Sequence, residues 1–296
     1  MSADSMLPDP PSFTEEQIAS CRASGDFRPL LFEWYKFVGV LSNFLARIRG
    51  DSPGVRQIAP VHYAALIGLL NRSARLMVSN VALSHGGTFG ETTAIIDRCI
   101  FESCVKISWL CSGALPDGFE RFLAEGLKTE LELEKEIKAA IEKRSGVVLE
   151  IEKRMLGSIG RNIASAGLTA ELIAASKKLP DMAAMVGALG HDRLMYVIGQ
   201  RVGSHHVHGT WPSLRLHYLE ADHGGRLRPR DHDCSTHVNQ FMFVPLVVLR
   251  AMQSFVEFAF TDAEFAGAFS SLLKSTEDEI MRIGGDVVGR DFEEAS

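Results

Sequence analysis

Residues 90–112, GETTAIIDRCIFESCVKISWLCS, constrain the fold of this chain more than any other stretch. Apolar side chains occupy most of the circumference that the segment would have as a helix, and Asp97, Arg98 and Glu102 are among the few charges that follow Glu91. A helix that is apolar on nearly all sides is buried among others. The stretch therefore predicts a central helix that brings a few charges into the interior.

Other segments have apolar residues three and four positions apart, which predicts further helices. The longest of these segments are 27–49, 60–85, 191–206 and 237–260, and shorter ones are 14–24, 169–178 and 181–189. Pro60 at the first turn of one and Gly86 after its end are typical of helix boundaries. No alternation of β-branched residues between tight turns is evident. We therefore expect an all-α fold, a multi-helix bundle.

The remaining segments complete the predicted organisation. Alternating glutamates and leucines from Glu130 onward predict a charged helical hairpin at about 118–166, appended to the bundle. Residues 213–220 are expected to form a short strand or a helical turn, and 222–236 a polar loop. The predicted units are a disordered tail at 1–12, the bundle with its hairpin at 13–262, and a C-terminal extension of two weaker helices at 263–296.

Composition limits the classes of function. The net charge is −6 and the pI about 5.9, which disfavours a protein that coats nucleic acid by bulk charge. Five cysteines without a CxxC pair are expected to be reduced thiols. The N-terminus lacks the pattern of a signal peptide, and no run of about 18 uncharged apolar residues predicts a membrane span. We expect a cytoplasmic protein with no membrane partner.

The stretch that concentrates ionisable side chains is 191–223, HDRLMYVIGQRVGSHHVHGTWPSLRLHYLEADH, which holds six of the ten histidines. One side of its predicted helix is polar, with Tyr196, Gln200, Arg201, Ser204, His205 and His208, and apolar Leu194, Val197, Ile198 and Val202 fill the other side. The polar side faces either water or a polar pocket. The helix has no Glu or Lys, the usual residues of a solvated face, and this favours the pocket.

Arg98 and Glu102 lie four positions apart and therefore share one face of the central helix. Buried charges need partners. The two side chains either form a mutual salt bridge on a partly exposed stripe, or project into a polar cavity and meet partners on another helix. The histidine-rich helix offers such partners, which predicts that the two helices meet.

Metal binding is one chemistry that these residues could support. His205, His206, His208 and Glu102 could supply nitrogen and oxygen ligands. His232 and His237 flank Cys234 and suggest a second, smaller site. No HExxH or paired ExxH motif is present, so we predict neither a metal nor another cofactor.

General acid–base catalysis on RNA is the second chemistry. Histidine titrates near neutral pH and can move protons to and from a ribose hydroxyl or a leaving oxygen. Arginine binds phosphate bidentately and stabilises developing charge. Arg201 would bind phosphate, His206 or His208 would transfer the proton, and Glu102 with Arg98 would orient Arg201. Tyr196, Ser204 and His205 would be supporting donors.

The spacing from Arg201 to His206 or His208 resembles the Arg-x4–6-His motif of the higher-eukaryote-and-prokaryote nucleotide-binding superfamily. The resemblance implies an α-helical bundle and a metal-independent endoribonuclease of the toxin–antitoxin or phage-defence kind. It places an acidic or polar residue of a neighbouring helix beside the arginine, a position that Glu102 would fill.

A second resemblance concerns a larger part of the chain, roughly residues 30–260. The pattern Arg98-x3-Glu102 followed by Tyr196-x7-Ser204-x3-His208-Gly209 is similar to a family of bacterial helical proteins known as a domain of unknown function. This resemblance implies a helical fold with a shared polar centre, and no particular activity.

Binding without turnover is the third chemistry. Trp211, Tyr218 and the loop arginines Arg226, Arg228 and Arg230 suit an anionic or planar ligand. In a non-catalytic binding or scaffold protein, the network of Arg98, Glu102, Tyr196 and His208 would instead be structural. Our leading hypothesis is a metal-independent endoribonuclease or nucleotide-binding protein. RNA or a nucleotide is the expected partner, and a homodimer is expected because the apolar helices outnumber those that one bundle buries.

Overall fold

The structure, a computed structural model, describes residues 7–294, and for 286–294 it describes the helical backbone alone. Helices dominate it, which confirms the predicted all-α fold. The long helices are α1 (Glu15–Ser24), α2 (Arg28–Ala46), α3 (Pro60–Gly86), α4 (Gly90–Ser112), α5 (Gly118–Lys143), α6 (Glu150–Ser165), α12 (Gln240–Ala259) and α13 (Ala263–Glu294). The short ones are α7 (Ala170–Ala175), α8 (Met182–Ala188), α9 (Arg193–Tyr196), α10 (Gly203–Val207) and α11 (Trp211–Ser213).

Helix α4 lies at the centre, as its sequence predicted. It packs against α3, α8, α10 and α12, while α2 packs against α3 and α12. Ile100, Phe101 and Ile107 on α4 are at most 1% exposed. Burial of apolar side chains of this size contributes roughly 1.5–3 kcal/mol each to folding. The packing of α4 therefore contributes substantially to the stability of the bundle.

Described segments near both ends of the chain pack against the core. Of the predicted tail, residues 1–6 lie outside the described range, whereas Leu7 and Phe13 pack against the core. The two C-terminal helices expected at 263–296 are one continuous helix, α13. The apolar positions of α13, including Phe269 and Ile280, are buried against the bundle. They recur at helical spacing through the polar segment between them. The helix therefore does not break there.

Helix α12 is long and apolar enough to span a membrane by length and composition alone. In the structure 56% of its apolar window is buried inside the molecule. A buried core helix has the same composition, so this feature is weak evidence for a membrane segment.

The described residues contain one small sheet, whose first strand lies mainly in the segment predicted to be a short strand or helical turn and whose second strand lies in the predicted polar loop. Strand β1 (Leu219–Ala221) pairs antiparallel with β2 (Leu227–Pro229). The Asp222 carboxylate accepts backbone hydrogen bonds from Gly224 and Arg226 and so shapes the turn. This turn chemistry, and not a run of β-branched residues, forms the hairpin.

The predicted helix at 191–206 is a composite, which we call the histidine helix and define as residues 193–207. It comprises α9, a π-helical segment (Val197–Val202) and α10. Asp192 caps its start by accepting a hydrogen bond from the backbone N–H of Met195 at 3.1 Å. Gly209, with a φ of 54°, follows its end. A π-helical segment within a helix is often found at functional sites.

The histidine helix presents glycine, and not its large apolar residues, to α4. A Cβ on Gly199 would lie 2.3 Å from the ring of Phe101, and one on Gly203 would lie 2.8 Å from Cβ of Arg98. Leu194 is consequently 60% exposed, in contrast to the expectation that the apolar side of this helix would be buried. Exposed Ile198 and Val202 extend the same stripe. Two small residues four positions apart thus allow α4 and the histidine helix to approach closely.

A carboxyl group without a cationic partner among the described residues lies at the junction of α3, α4 and α12. The side chain of Asp97 turns inward and accepts hydrogen bonds from Nδ2 of Asn80 and Nε2 of Gln240, both at 2.5 Å. Burial raises its pKa to about 7. The amide of Asn80 also donates to the hydroxyl of buried Tyr35 at 3.1 Å.

The glycine contact predicts a specific stability loss. Gly199→Ala is expected to lower the free energy of unfolding by about 1–3 kcal/mol, because the buried ring of Phe101 must move to make room. Chemical denaturation measures this change. The matched control is Gly126→Ala in α5, where a Cβ meets nothing within 4 Å, and this substitution should raise stability by about 0.5–1 kcal/mol. A Gly199→Ala protein as stable as the control would contradict the close approach.

The buried carboxyl group of Asp97 predicts that the free energy of unfolding depends on pH. Its folded pKa of about 7 exceeds the ordinary pKa of 3.8 for an aspartate, so the stability linked to this group is fully present below the unfolded pKa and is lost as the pH rises through 7. The stability of Asp97→Asn relative to wild type should therefore increase between about pH 4 and pH 8, by on the order of 2–4 kcal/mol. Denaturation of both proteins across that range tests this. A pH-independent difference would refute the burial of the carboxyl group.

Candidate functional site

Five of the sequence-predicted site residues line one open pocket of about 350 Å³. We call it the Arg201 pocket. Its lining comprises Tyr196, Gln200, Arg201, Ser204, His205, His208 and Thr210. The pocket offers a guanidinium group, two imidazoles, hydroxyls and an amide, and no carboxylate lines it. Such a set of donors suits an anion that accepts several hydrogen bonds.

The charged and titratable groups of the pocket are accessible. Arg201 and His208 are exposed, and no carboxylate of the described residues pairs with Arg201. Nδ1 of His205 lies 2.7 Å from Oγ1 of Thr210, which fixes the orientation of the ring and leaves Nε2 for a ligand. The pocket is therefore open to a ligand without prior rearrangement of an ion pair.

The Arg98–Glu102 pair lies on α4, behind the wall of this pocket. Nε of Arg98 is 3.0 Å from Oε1 of Glu102, and the same oxygen accepts a hydrogen bond from Nε2 of Gln200 at 3.3 Å. Both alternatives for the pair are realised, because the mutual salt bridge also meets a partner on another helix. That partner is Gln200 and not Arg201, and no described contact joins Arg201 to Glu102 or Arg98, which were expected to orient it.

His206 lies outside the Arg201 pocket, in a second group of polar side chains. We call this group the Glu91 cluster and define it as Glu91, His206, Ser213, His217, Tyr218 and Asp233. Glu91 is 8% exposed, and its carboxylate accepts hydrogen bonds from Oγ of Ser213 at 2.5 Å and from the hydroxyl of Tyr218. Two hydroxyl donors thus satisfy a buried carboxylate that has no direct cationic partner among the described residues.

The hydrogen bonds determine the tautomer of His206. Its Nδ1 lies 3.1 Å from Oγ of Ser213. The single proton of Ser213 is donated to the carboxylate of Glu91, so Nδ1 of His206 must donate to Ser213, and the neutral ring keeps its lone pair on Nε2. Burial, and then the nearby His217, lower the pKa of His206. The lowered pKa therefore favours the neutral form of the ring at pH 7.

Asp233 ties the loop after the β-hairpin to the start of α4. Its Oδ1 accepts from Nδ1 of His217 at 2.5 Å and from the backbone N–H of Cys234 at 2.6 Å, and its Oδ2 accepts from the backbone N–H of Glu91 at 3.1 Å. Gly90 donates to the carbonyl of Cys234 at 2.7 Å, and a Cβ on Gly90 would lie 2.8 Å from that oxygen. Asp233 thus caps α4 from a distant part of the chain.

The expected metal ligands do not gather at one point. His205 bonds to Thr210, His206 to Ser213 and Glu102 to Gln200. Exposed His237 accepts a backbone hydrogen bond from Asn239.

Among the described residues, His217, Asp233 and Cys234 do place potential ligand atoms within 4.8 Å of one another. The guanidinium group of Arg230, however, donates to Sγ of Cys234 at 3.0 Å, and both oxygens of Asp233 accept backbone N–H groups. A cation next to the thiol and a carboxylate used as a cap fit a metal ion poorly.

Some of the residues that were predicted to bind a planar or anionic ligand already form ion pairs within the protein. Trp211 and Tyr218 are 59% and 51% exposed. Arg226 and Arg228, in contrast, form ion pairs with Asp222 at 3.4 and 2.9 Å. These two loop arginines stabilise the hairpin turn, whereas the two aromatic rings remain accessible.

Sequence reasoning did not identify Glu91, Ser213 or Asp233 as site residues. Glu91 resembles an ordinary acid in the first turn of a helix, and Asp233 lies more than 130 positions away in a polar loop. The only sequence signal for this cluster was the density of histidines at 205–217, because His206 and His217 both belong to it.

The fold and the site together define an all-α protein whose central helix supports a polar, histidine-rich pocket. Residues 63–226, more than half of the chain, match the model of a family described as Family of unknown function (DUF5677). The chain belongs to this family, which agrees with the resemblance to a helical family of unknown function. No curated protein and no solved structure matches it.

The contacts of Glu91 predict that its substitution changes the pKa values of two neighbouring side chains. Glu91→Gln should lower the pKa of His206, because the carboxylate of Glu91 raises it, and should also lower the pKa of Tyr218, because the hydrogen bond to that carboxylate raises it. Histidine NMR titration and tyrosinate absorbance measure the two values. The control is Glu220→Gln in exposed β1, which should move neither. A rise in the pKa of His206 would contradict the arrangement.

Proposed function

We propose that this protein is a metal-independent endoribonuclease that binds a phosphate of RNA in the Arg201 pocket. The observation that supports this most is the presence of one unpaired arginine and two imidazoles in a single open pocket without a carboxylate. An anionic ligand is favoured by such a surface, because no negative charge of the pocket opposes it.

The chemistry of RNA cleavage requires the groups that line this pocket. A base removes the proton of the ribose 2′-hydroxyl as its oxygen attacks phosphorus, and an acid protonates the departing 5′-oxygen. The guanidinium group of Arg201 would stabilise the charge on the phosphate oxygens. His205 and His208 would be the base–acid pair, since both line the pocket and His206 does not. Gln200, held by Glu102 on α4, would position the wall next to Arg201.

His206 has a separate role in this proposal. It lies in the Glu91 cluster, where Ser213 and the buried carboxylate of Glu91 hold its ring. It would fix the geometry of the helix end between His205 and His208. Glu91, Ser213 and His206 are therefore proposed as positioning residues, and their substitution should affect catalysis through the placement of the neighbouring imidazoles.

A non-catalytic scaffold is the second candidate, and the contacts of Arg98, Glu102 and Gln200 support it. The side chains of Arg98 and Glu102 are only 18% and 25% exposed. A satisfied polar network of this kind rigidifies a helical core. This candidate predicts that substitutions in the Arg201 pocket change neither RNA binding nor RNA turnover.

The decisive experiment compares cleavage of a fluorescent single-stranded RNA by wild type, Arg201→Ala and His208→Ala in the presence of EDTA. Each substitution should reduce cleavage by about 100-fold or more, since it removes charge stabilisation or proton transfer. DNA of the same sequence should bind but stay intact, because it lacks the 2′-hydroxyl. Arg193→Ala, an exposed arginine on the same helix outside the pocket, is the control and should retain wild-type activity. Absence of RNA binding and cleavage by the wild-type protein would refute the proposal.

A further inference from the structure

A groove between α2 and α3 is the largest of the pockets described, with a volume of about 570 Å³. This volume lies in the range of small-molecule sites. Its lining comprises Tyr35, Lys36, Gly39, Val40, Asn43, Ala46, Arg47, Asn71, Ala74, Arg75, Met77, Val78 and Val81. We call it the α2–α3 groove. It belongs neither to the Arg201 pocket nor to the Glu91 cluster, since it has no residue in common with either.

The floor of the groove is apolar and firmly packed. Gly39, Ala74 and Met77 are buried. A Cβ on Gly39 would be in ordinary contact with Cβ of Met77 at 3.5 Å. Because small residues form this floor, the two helices leave a concave surface above it. Val40 and Val78 on its sides are 50% and 64% exposed, so apolar area faces solvent here.

Four polar side chains of the groove have no partner among the described residues. Arg47 and Arg75 are exposed and pair with no described carboxylate, and the side-chain amides of half-buried Asn43 and Asn71 make no hydrogen bond with described residues. Lys36 differs, because it pairs with Glu33 at 2.6 Å. No acidic residue lines the groove. Two guanidinium groups and two amides are therefore available to one anionic group.

The register of the two helices brings these groups together. Asn80 donates to Tyr35, and Ser42 donates to the carbonyl of Leu70, so α2 and α3 run antiparallel with Asn43 and Asn71 at the same level. Arg47 and Arg75 each follow one of these asparagines by four positions. Helical side chains lean toward the N-terminus of their own helix, which directs both guanidinium groups toward the asparagine pair.

The apolar part of the groove extends away from this polar centre toward Val81. Asn71 and Val81 are ten residues apart on α3, which corresponds to about 15 Å. Val78 and Met77 line this path. The groove thus joins a site for one anionic group to an elongated apolar channel.

We propose that the α2–α3 groove binds a long-chain carboxylate, with the carboxylate between Arg47 and Arg75 and the hydrocarbon chain along Met77, Val78 and Val81. Charge complementarity selects this occupant, because a bidentate guanidinium–carboxylate pair satisfies Arg75 and Arg47 in the way that no protein group does. The chain buries apolar surface that is otherwise exposed to water.

The test is calorimetric titration of the full-length protein with sodium laurate below its micelle concentration. Wild type should bind laurate, and dodecyltrimethylammonium, which has a similar chain with a cationic head, should bind at least about tenfold more weakly. Arg75→Ala and Arg47→Ala should each weaken laurate binding by about tenfold. The control is Arg49→Ala, which lies outside the groove and is paired with Asp51, and it should bind as wild type does.

Two substitutions that introduce opposite charges at one position of the groove wall give a more specific test. Val78 is 64% exposed, so Val78→Glu and Val78→Lys should both leave the fold intact. Val78→Glu should weaken laurate binding by at least about tenfold, whereas Val78→Lys should retain or strengthen it. Absence of laurate binding to wild type, equal binding of the cationic amphiphile, or equal affinities of the two Val78 variants would each overturn the proposal.

Discussion

The close approach of the histidine helix to α4 is the constraint on which the polar sites depend. Gly199 lies against the ring of Phe101, and Gly203 lies against the stem of Arg98. Because neither glycine contributes a side chain at this contact, the histidine helix lies close enough to α4 for Gln200 to reach Glu102. A larger residue at either glycine would move the helix outward and separate these groups.

This docking divides three closely spaced histidines between two environments. His205 and His208 line the open Arg201 pocket, whereas His206 turns to Ser213 and the buried Glu91. The two environments differ in electrostatics, because the pocket has no carboxylate and the cluster is built around one. Neighbouring imidazoles therefore have different surroundings, one pair lining an open pocket and one ring hydrogen-bonded to Ser213.

The sequence predicted the helices well, because apolar spacing and helix-boundary residues are local signals, as at Pro60. It also predicted that the residues from Tyr196 to His208 share one side of a helix. The buried side of that helix was not predictable from hydrophobicity, since glycines face α4 and Leu194 faces solvent. The contacts of Glu91 were equally hidden, because its partners lie more than 100 residues away and no local pattern relates them.

The most direct test of this account is a double-mutant cycle between the two helices. The free energies of unfolding of wild type, Glu102→Ala, Gln200→Ala and the double variant give the coupling energy of the two side chains. If the glycine contact places Gln200 on Glu102 as described, the coupling should be about 0.5–1.5 kcal/mol, the typical contribution of a hydrogen bond. Strictly additive effects would show that the helices do not meet in this register and would contradict the account.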